Sequence, residues 1–259
     1  MAVEPDQVRL VSAAADRVCH LLWLFQRQEP EVVALVERRG SAGFPHYLTS
    51  RLGVVGPASW GGVVYIAPTS LVDRLLPRCL ALDPPGYVSE CLTAAGAALH
   101  RLLPAPFPHG LGDLADLVQP TGPLPAAWAA LPRSGDPHRD AIRDAMVIRE
   151  ERAHGHYLAA SELGLLPVEL LILTALWRGQ PAEWISKNFK WSEPEMKDAV
   201  ASLAGRGWVD QNSVLTDLGR RTRDQIEART EELAGRSMAD IPESVRGELV
   251  AGLSGLASI

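Results

Sequence analysis

Apolar residues recur along this chain at three- and four-residue spacing far more often than they alternate, so helices are expected nearly throughout. From Val8 to Gln28, the residues Val11, Ala14, Ala15, Val18, Leu21, Leu22 and Phe25 form one apolar face. Pro30 ends that run, and Glu31 to Arg39 reads as a short helix closed by Gly40. Pro45 to Leu52 and Pro57 to Tyr65 are brief segments separated by Gly53 and Gly56. Thr69 to Leu82, with Thr69 as the cap after Pro68, and Ser89 to Leu103 are two further helices. Residues 104–137 are dense in proline and glycine and read as a surface linker carrying a short helix near Leu111 to Val118.

The pattern is sharper beyond the linker. A long helix is expected from about His138 to Glu162, followed by an apolar helix from Pro167 to Trp177 that Gly179 stops. Pro181 introduces Ala182 to Phe189, and Ser192-Glu193-Pro194-Glu195 has the composition of a capping box opening a helix to about Ala204. Trp208-Val209-Asp210 and Ser213-Val214-Leu215 alternate about Gln211-Asn212 as a small hairpin would, and Thr216 begins a last amphipathic helix through Leu233. This order is the winged-helix plan. Leu92-Thr93-x-x-Gly96 echoes Leu215-Thr216-x-x-Gly219, which implies an altered first copy of the same module. The expected fold is therefore mainly α: two winged-helix-like halves, with a small β-hairpin wing in the second. The expected division is residues 1–103, a linker at 104–137, and a C-terminal winged-helix domain at 138–259.

Charge complicates what that plan would do. Acidic residues outnumber Lys plus Arg by 31 to 25, for a net charge of −6, which excludes a globally basic nucleic-acid coat but not a local DNA-reading element. The lysines, Lys187, Lys190 and Lys197, all fall in one short segment. The three cysteines, Cys19, Cys79 and Cys91, are scattered and suit buried thiols in a reducing cytoplasm. The acidic start lacks the order of a signal peptide, and Leu163 to Trp177 is too short to span a bilayer, so a cytoplasmic protein without membrane contact is expected.

Leu203-x-x-Arg206-Gly207-Trp208-Val209 with Leu215-Thr216-x-x-Gly219 resembles the recognition-helix end, wing and following helix of MarR-type regulators. The whole chain is also similar to an actinobacterial family of MarR-like helix-turn-helix proteins. That likeness rests on Tyr47-x-x-Ser50-Arg51-x-x-x-x-Gly56, Pro68-x-x-x-Val72-x-x-x-x-Pro77, Arg149, Gly155-His156 and Trp191-Ser192. Members often carry an acid where this chain has His154. The resemblance implies a regulatory DNA-binding protein and supplies no reaction.

Candidate DNA contacts are Lys187, Lys190, Lys197, Arg220, Arg221 and Arg223, opposed by Glu193, Glu195 and Asp198 on the third helix. On the long helix, Arg149, Arg152 or Ala153, and His156 share one face. Were Tyr47 and Arg51 to meet Arg149 and His156, a polar pocket between the halves would result, taking a small anionic or aromatic ligand. Glu150 and His156 are the catalytic candidates, although no nucleophile elbow, phosphate loop or dinucleotide fingerprint is present. No metal site or cofactor is expected. Core filling is the expected role of the tryptophans, with Trp177, Trp184 and Trp208 in the C-terminal core and Trp60 the one nearest a pocket role. The leading expectation is a MarR-like regulator of transcription that senses a small ligand between its halves, binds duplex DNA, and forms a homodimer through its terminal helices. The alternative is a protein of winged-helix descent that has lost DNA binding and binds or transforms a small molecule in specialised metabolism.

Overall fold

A computed structural model of the chain describes residues 4–22, 28–103 and 110–237, together with 239 and 242. Among these residues are thirteen α-helices and one short 3-10 helix. The first set comprises α1 (Pro5–His20), α2 (Pro30–Arg39), α3 (Phe44–Leu52), α4 (Trp60–Val63), α5 (Thr69–Leu80), α6 (Pro84–Leu102), α7 (Leu111–Leu117) and α8 (Pro123–Ala130). Then come α9 (Pro137–Glu162), α10 (Pro167–Trp177), α11 (Glu183–Phe189), α12 (Glu193–Gly205) and α13 (Asp217–Ser237). Proline opens α1, α2, α6, α8, α9 and α10, in a first turn whose N–H groups lack helical partners anyway.

α9 is the axis of the molecule. Asp136 caps it by accepting from the His138 and Arg139 N–H groups at 2.9 and 3.0 Å, and its 26 residues extend for about 39 Å. Two apolar cores hang on it. The first gathers α1 to α8 against Ala141–Ile148 and contains the buried Trp60, Tyr87 and Trp128. The second joins Ala159 and Ala160 at the end of α9 to α10, α11, α12 and Ile226 of α13. The linker region therefore contributes two helices, α7 and α8, packed along α9. Residues 104–109 within it lie outside the described residues, as do Trp23, Phe25 and most of the chain beyond 237.

The expected hairpin wing is absent. The described residues contain no β-strand, only an isolated antiparallel bridge between Val209 and Leu215. Two backbone bonds make that bridge, from the Asp210 N–H to the Val214 carbonyl at 2.8 Å and from the Thr216 N–H to the Trp208 carbonyl at 3.0 Å, and the ladder stops there because the Asp210 carboxylate accepts from the N–H groups of Asn212 and Val214 at 2.8 and 2.9 Å. The echoed motif behind the expected first copy sits differently in its two places. Leu92 and Thr93 lie inside α6 rather than at a helix start, and the Thr93 hydroxyl donates to the Ser89 carbonyl one turn back. Gly96 is small because a Cβ there would lie 2.8 Å from Cα of Arg139 on α9. At Gly219 the same motif answers to a different constraint: a Cβ would fall 2.1 Å from the Trp208 carbonyl oxygen, while Thr216 caps the Gly219 N–H at 3.0 Å.

Smaller departures have similar causes. α6 begins at Pro84, five positions before the expected Ser89, because consecutive prolines are tolerated in a first turn. Thr69 is the first helical residue of α5 and Pro68 its cap. Trp184 is 39% exposed rather than a core residue, whereas the fully buried indoles are Trp60 and Trp128 of the first core. The three cysteines are buried thiols. No single helix among the described residues is long and apolar enough to cross a membrane.

Candidate functional site

α3 and α9 meet through charge. The Arg51 guanidinium donates to both oxygens of Glu150, each at 2.7 Å, and to the Tyr47 hydroxyl at 3.1 Å. Arg149 adds a third bond to Glu150 at 2.6 Å and reaches Asp16 of α1 at 3.2 Å. Both side chains of the Arg51–Glu150 pair are 1% exposed. Burial alone would push the Glu150 carboxyl up, but Arg51 and Arg149 overcome it and hold the group below the usual carboxylate range. Burial likewise opposes the Arg51 charge, and Glu150 more than restores it. An arginine so occupied has little left to offer a ligand.

Beside this pair lies a cavity of about 80 Å³, lined by Arg51, Glu150, Tyr65, His154 and Tyr157 among others. Tyr65 stacks on Tyr157 with centroids 3.8 Å apart. Such a space holds a few waters rather than a metabolite. A second, larger and more polar cleft of about 490 Å³ lies between α1 and α9, with Tyr157 and the exposed Arg178 after α10 also in its lining. Arg9, Ser12, Asp16 and His20 of α1 face Arg149, Arg152 and His156 of α9 across it.

The expected ligand quartet is thus divided. Tyr47 and Arg51 belong to the buried pair, whereas Arg149 and His156 line the larger cleft. Tyr157 lines both spaces. The catalytic candidates are parted in the same way, Glu150 lining the small cavity and His156 the cleft. The Thr230 hydroxyl donates to the Ile226 carbonyl at 2.7 Å, which leaves it to accept from His156 Nδ1 at 2.9 Å. Burial, then the nearby Arg223, pushes the His156 pKa down to about 4, so the ring is neutral at pH 7. Burial would raise the Asp16 carboxyl, but His20 and Arg149 hold it at about 2. Arg9, Ser12, Asp16 and Arg178 were not anticipated. The polar stripe of Ser12, Asp16 and His20, at four-residue spacing on α1, was the available signal.

The helix pair α11 and α12 is joined by the turn Lys190–Ser192, a connection of the length that helix-turn-helix units use. Lys190 closes α11 in the left-handed region at φ 64°. Ser192 and Glu195 form the capping box, with the Ser192 N–H and hydroxyl donating to Glu195 at 2.8 and 2.6 Å. Glu195 is therefore turned onto its own helix start, leaving Glu193 and Asp198 as the exposed acids of α12 beside Lys197. Lys187 and Lys190 on α11 and Arg220 and Arg221 on α13 are exposed. Arg223 is not: at 2% exposure it donates to Glu227 at 2.7 Å and Thr174 at 3.1 Å and lies over the Trp177 ring. The turn is tied to the first body by the Trp191 indole N–H, which donates to the Ile66 carbonyl at 3.2 Å.

Among the described residues no group of three or more His, Cys, Asp or Glu side chains is placed to hold a metal ion. No curated protein and no solved structure matches the chain. A helix-turn-helix family matches residues 12–258, which takes in both apolar cores, the cleft and the α11–α12 unit. The chain belongs to that helix-turn-helix family.

Proposed function

We propose that this protein is a cytoplasmic DNA-binding regulator of transcription, MarR-like in coupling DNA binding to a small effector, here held in the cleft between α1 and α9. The observation that carries the reading is the exposed α11–turn–α12 unit, flanked on both sides by bases, in a chain of the helix-turn-helix family. α12 would enter the major groove, with Lys187, Lys190, Lys197, Arg220 and Arg221 meeting phosphate. The effector cleft has two routes to that surface. Arg178 at its mouth caps α10, which leads into α11, and Arg152 pairs with Glu227 on α13.

Fluorescence anisotropy with duplex DNA from upstream of the protein's own gene tests the reading. Five phosphate contacts predict a slope of roughly −4 to −5 in log affinity against log salt, and Lys187→Ala with Lys190→Ala lowers its magnitude by about 2. Absence of binding at low salt, or a slope indifferent to those lysines, overturns it. The exposed Glu193 and Asp198 on α12 favour a second reading, a small-molecule binding protein without DNA affinity. That reading is the one left if the anisotropy stays flat while the cleft still takes a ligand.

A further inference from the structure

The α11–α12 pair is held at two places. The first is α10, on which both helices pack. α10 itself turns away from α9 by 103°, so a pair held there alone would stand off the axis of the molecule on a single bend. The second is a strap, residues 64–68, that joins α4 to α5 without regular structure. Val64, Ala67 and Pro68 of the strap are buried, and the Ile66 side chain packs on the first core. Two adjacent strap residues then reach across to the second core. The Tyr65 ring lies parallel to that of Tyr157, with centroids 3.8 Å apart, and the Ile66 carbonyl accepts from the Trp191 indole N–H at 3.2 Å. Tyr157 and Trp191 both pack on the second core. Among the described residues, the indole bond is the only hydrogen bond or ion pair that ties residues 183–205 to the first core.

We propose that Trp191 is the positioning residue of the helix-turn-helix unit, and that the strap at 64–68 is the means by which the first core sets the approach of α12 to DNA. The proposal deepens the regulator reading above and rests on it. Trp191 is the middle residue of the turn between α11 and α12, so a bond fixed there sets the orientation of both helices at once. An indole N–H can only donate, and a half-buried donor is costly to leave unmade, so the pair settles where the Ile66 carbonyl meets it. Orientation matters because the exposed bases are divided. Lys187, Lys190 and Lys197 ride on α11, its cap and α12, whereas Arg220 and Arg221 ride on α13, which packs on α9. One duplex can engage both groups together only at a particular angle between the pair and α13. Holding that angle before DNA arrives spares the cost of ordering it on binding.

Indole nitrogen-15 NMR spectra and DNA anisotropy on the full chain test this. Trp191→Phe keeps a ring in the second core, deletes the N–H, and identifies the Trp191 indole resonance by its loss. Tyr65→Ala removes no group of α11 or α12, yet it should shift that resonance. Tyr65→Phe keeps the stack on Tyr157 and should leave the resonance in place. Trp191→Phe should weaken DNA binding by roughly fivefold, the worth of about one hydrogen bond. The salt slope should stay as in the parent, because no basic residue is removed. Tyr65→Ala should weaken binding by a similar factor, Tyr65→Phe should not, and adding Trp191→Phe to Tyr65→Ala should lose little more, since both act through one contact. Every measurement is made well below the lowest melting midpoint of the set, so a loss of stability by itself moves none of these readings. An indole resonance unmoved by Tyr65→Ala, a Trp191→Phe affinity equal to that of the parent, or losses that add in full would overturn the proposal and leave the regulator reading standing. A parent chain that binds no DNA at low salt fails the regulator reading, and the positioning role falls with it.

Discussion

Replacing Glu150 by Gln isolates the charge of the buried α3–α9 contact. Glutamine preserves the shape of the side chain but removes the negative charge on which Arg51 and Arg149 converge. Arg149 retains Asp16, while Arg51 is left with the Tyr47 hydroxyl at 3.1 Å and a guanidinium that is 1% exposed. Breaking a buried pair from one side costs about 3–5 kcal/mol, since the remaining charge has neither water nor partner. In a chain of this size each kcal/mol moves the melting midpoint by roughly 2–4 °C, so a fall of about 6–20 °C is expected. Urea titration followed by circular dichroism measures the free energy, and a thermal melt checks the midpoint. Arg51→Met combined with Glu150→Leu removes both charges and should lose much less than Glu150→Gln alone. Acidification offers an independent check. Because the Glu150 pKa is depressed in the folded state, its contribution is present above the ordinary carboxylate range and lost as pH falls below it. The Gln variant has no such contribution to lose. A Glu150→Gln protein within about 1 kcal/mol of the parent would refute the reasoning, and would return Arg51 to the pool of ligand-binding groups.

Three further outcomes are expected. His156, held neutral with a pKa of about 4 against an ordinary 6.5, binds fewer protons folded than unfolded between those values. Stability should therefore decline as pH falls from 6.5 towards 4, by on the order of 2–3 kcal/mol, and His156→Gln should flatten that decline in urea midpoints. Gly219→Ala places a Cβ 2.1 Å from the Trp208 carbonyl oxygen and should cost roughly 2–3 kcal/mol, read by denaturant titration; an unchanged midpoint would contradict the close approach of α13. Lys190→Gly relieves a left-handed backbone at φ 64° and should stabilise the protein by about 1 kcal/mol, while lowering the magnitude of the DNA salt slope by about 1.

Much of the helical plan was legible because the signals are local. The α12 capping box is written in Ser192 and Glu195, and the apolar spacing of Val11, Val18 and Leu22 marked the buried face of α1. The shared face of Arg149, Arg152 or Ala153, and His156 followed from helix geometry, and all four line one cleft. The wing was misread because alternation over six residues is weak beside one aspartate able to take two backbone N–H groups. The echo at Leu92-Thr93-x-x-Gly96 has a different physical basis from its counterpart at Gly219. Glycine serves any close approach of backbones, and there the approaching partner is α9 rather than a preceding turn.

The sequence by itself determined where most of the helices beyond the linker start, the face that α1 buries, and that the basic residues cluster around α11 and the start of α13. Each of these depends on residues within a few positions of one another. Only the tertiary structure decided how the charges are spent. Arg51 and Glu150 stand 99 residues apart, and Arg9 and Glu231 stand 222 apart, yet each pair closes an ion contact that the chain order does not announce. Whether an arginine is a ligand-binding group or a buried counter-charge depends on which carboxylate reaches it first. That is set by the packing of α1, α3 and α13 against α9.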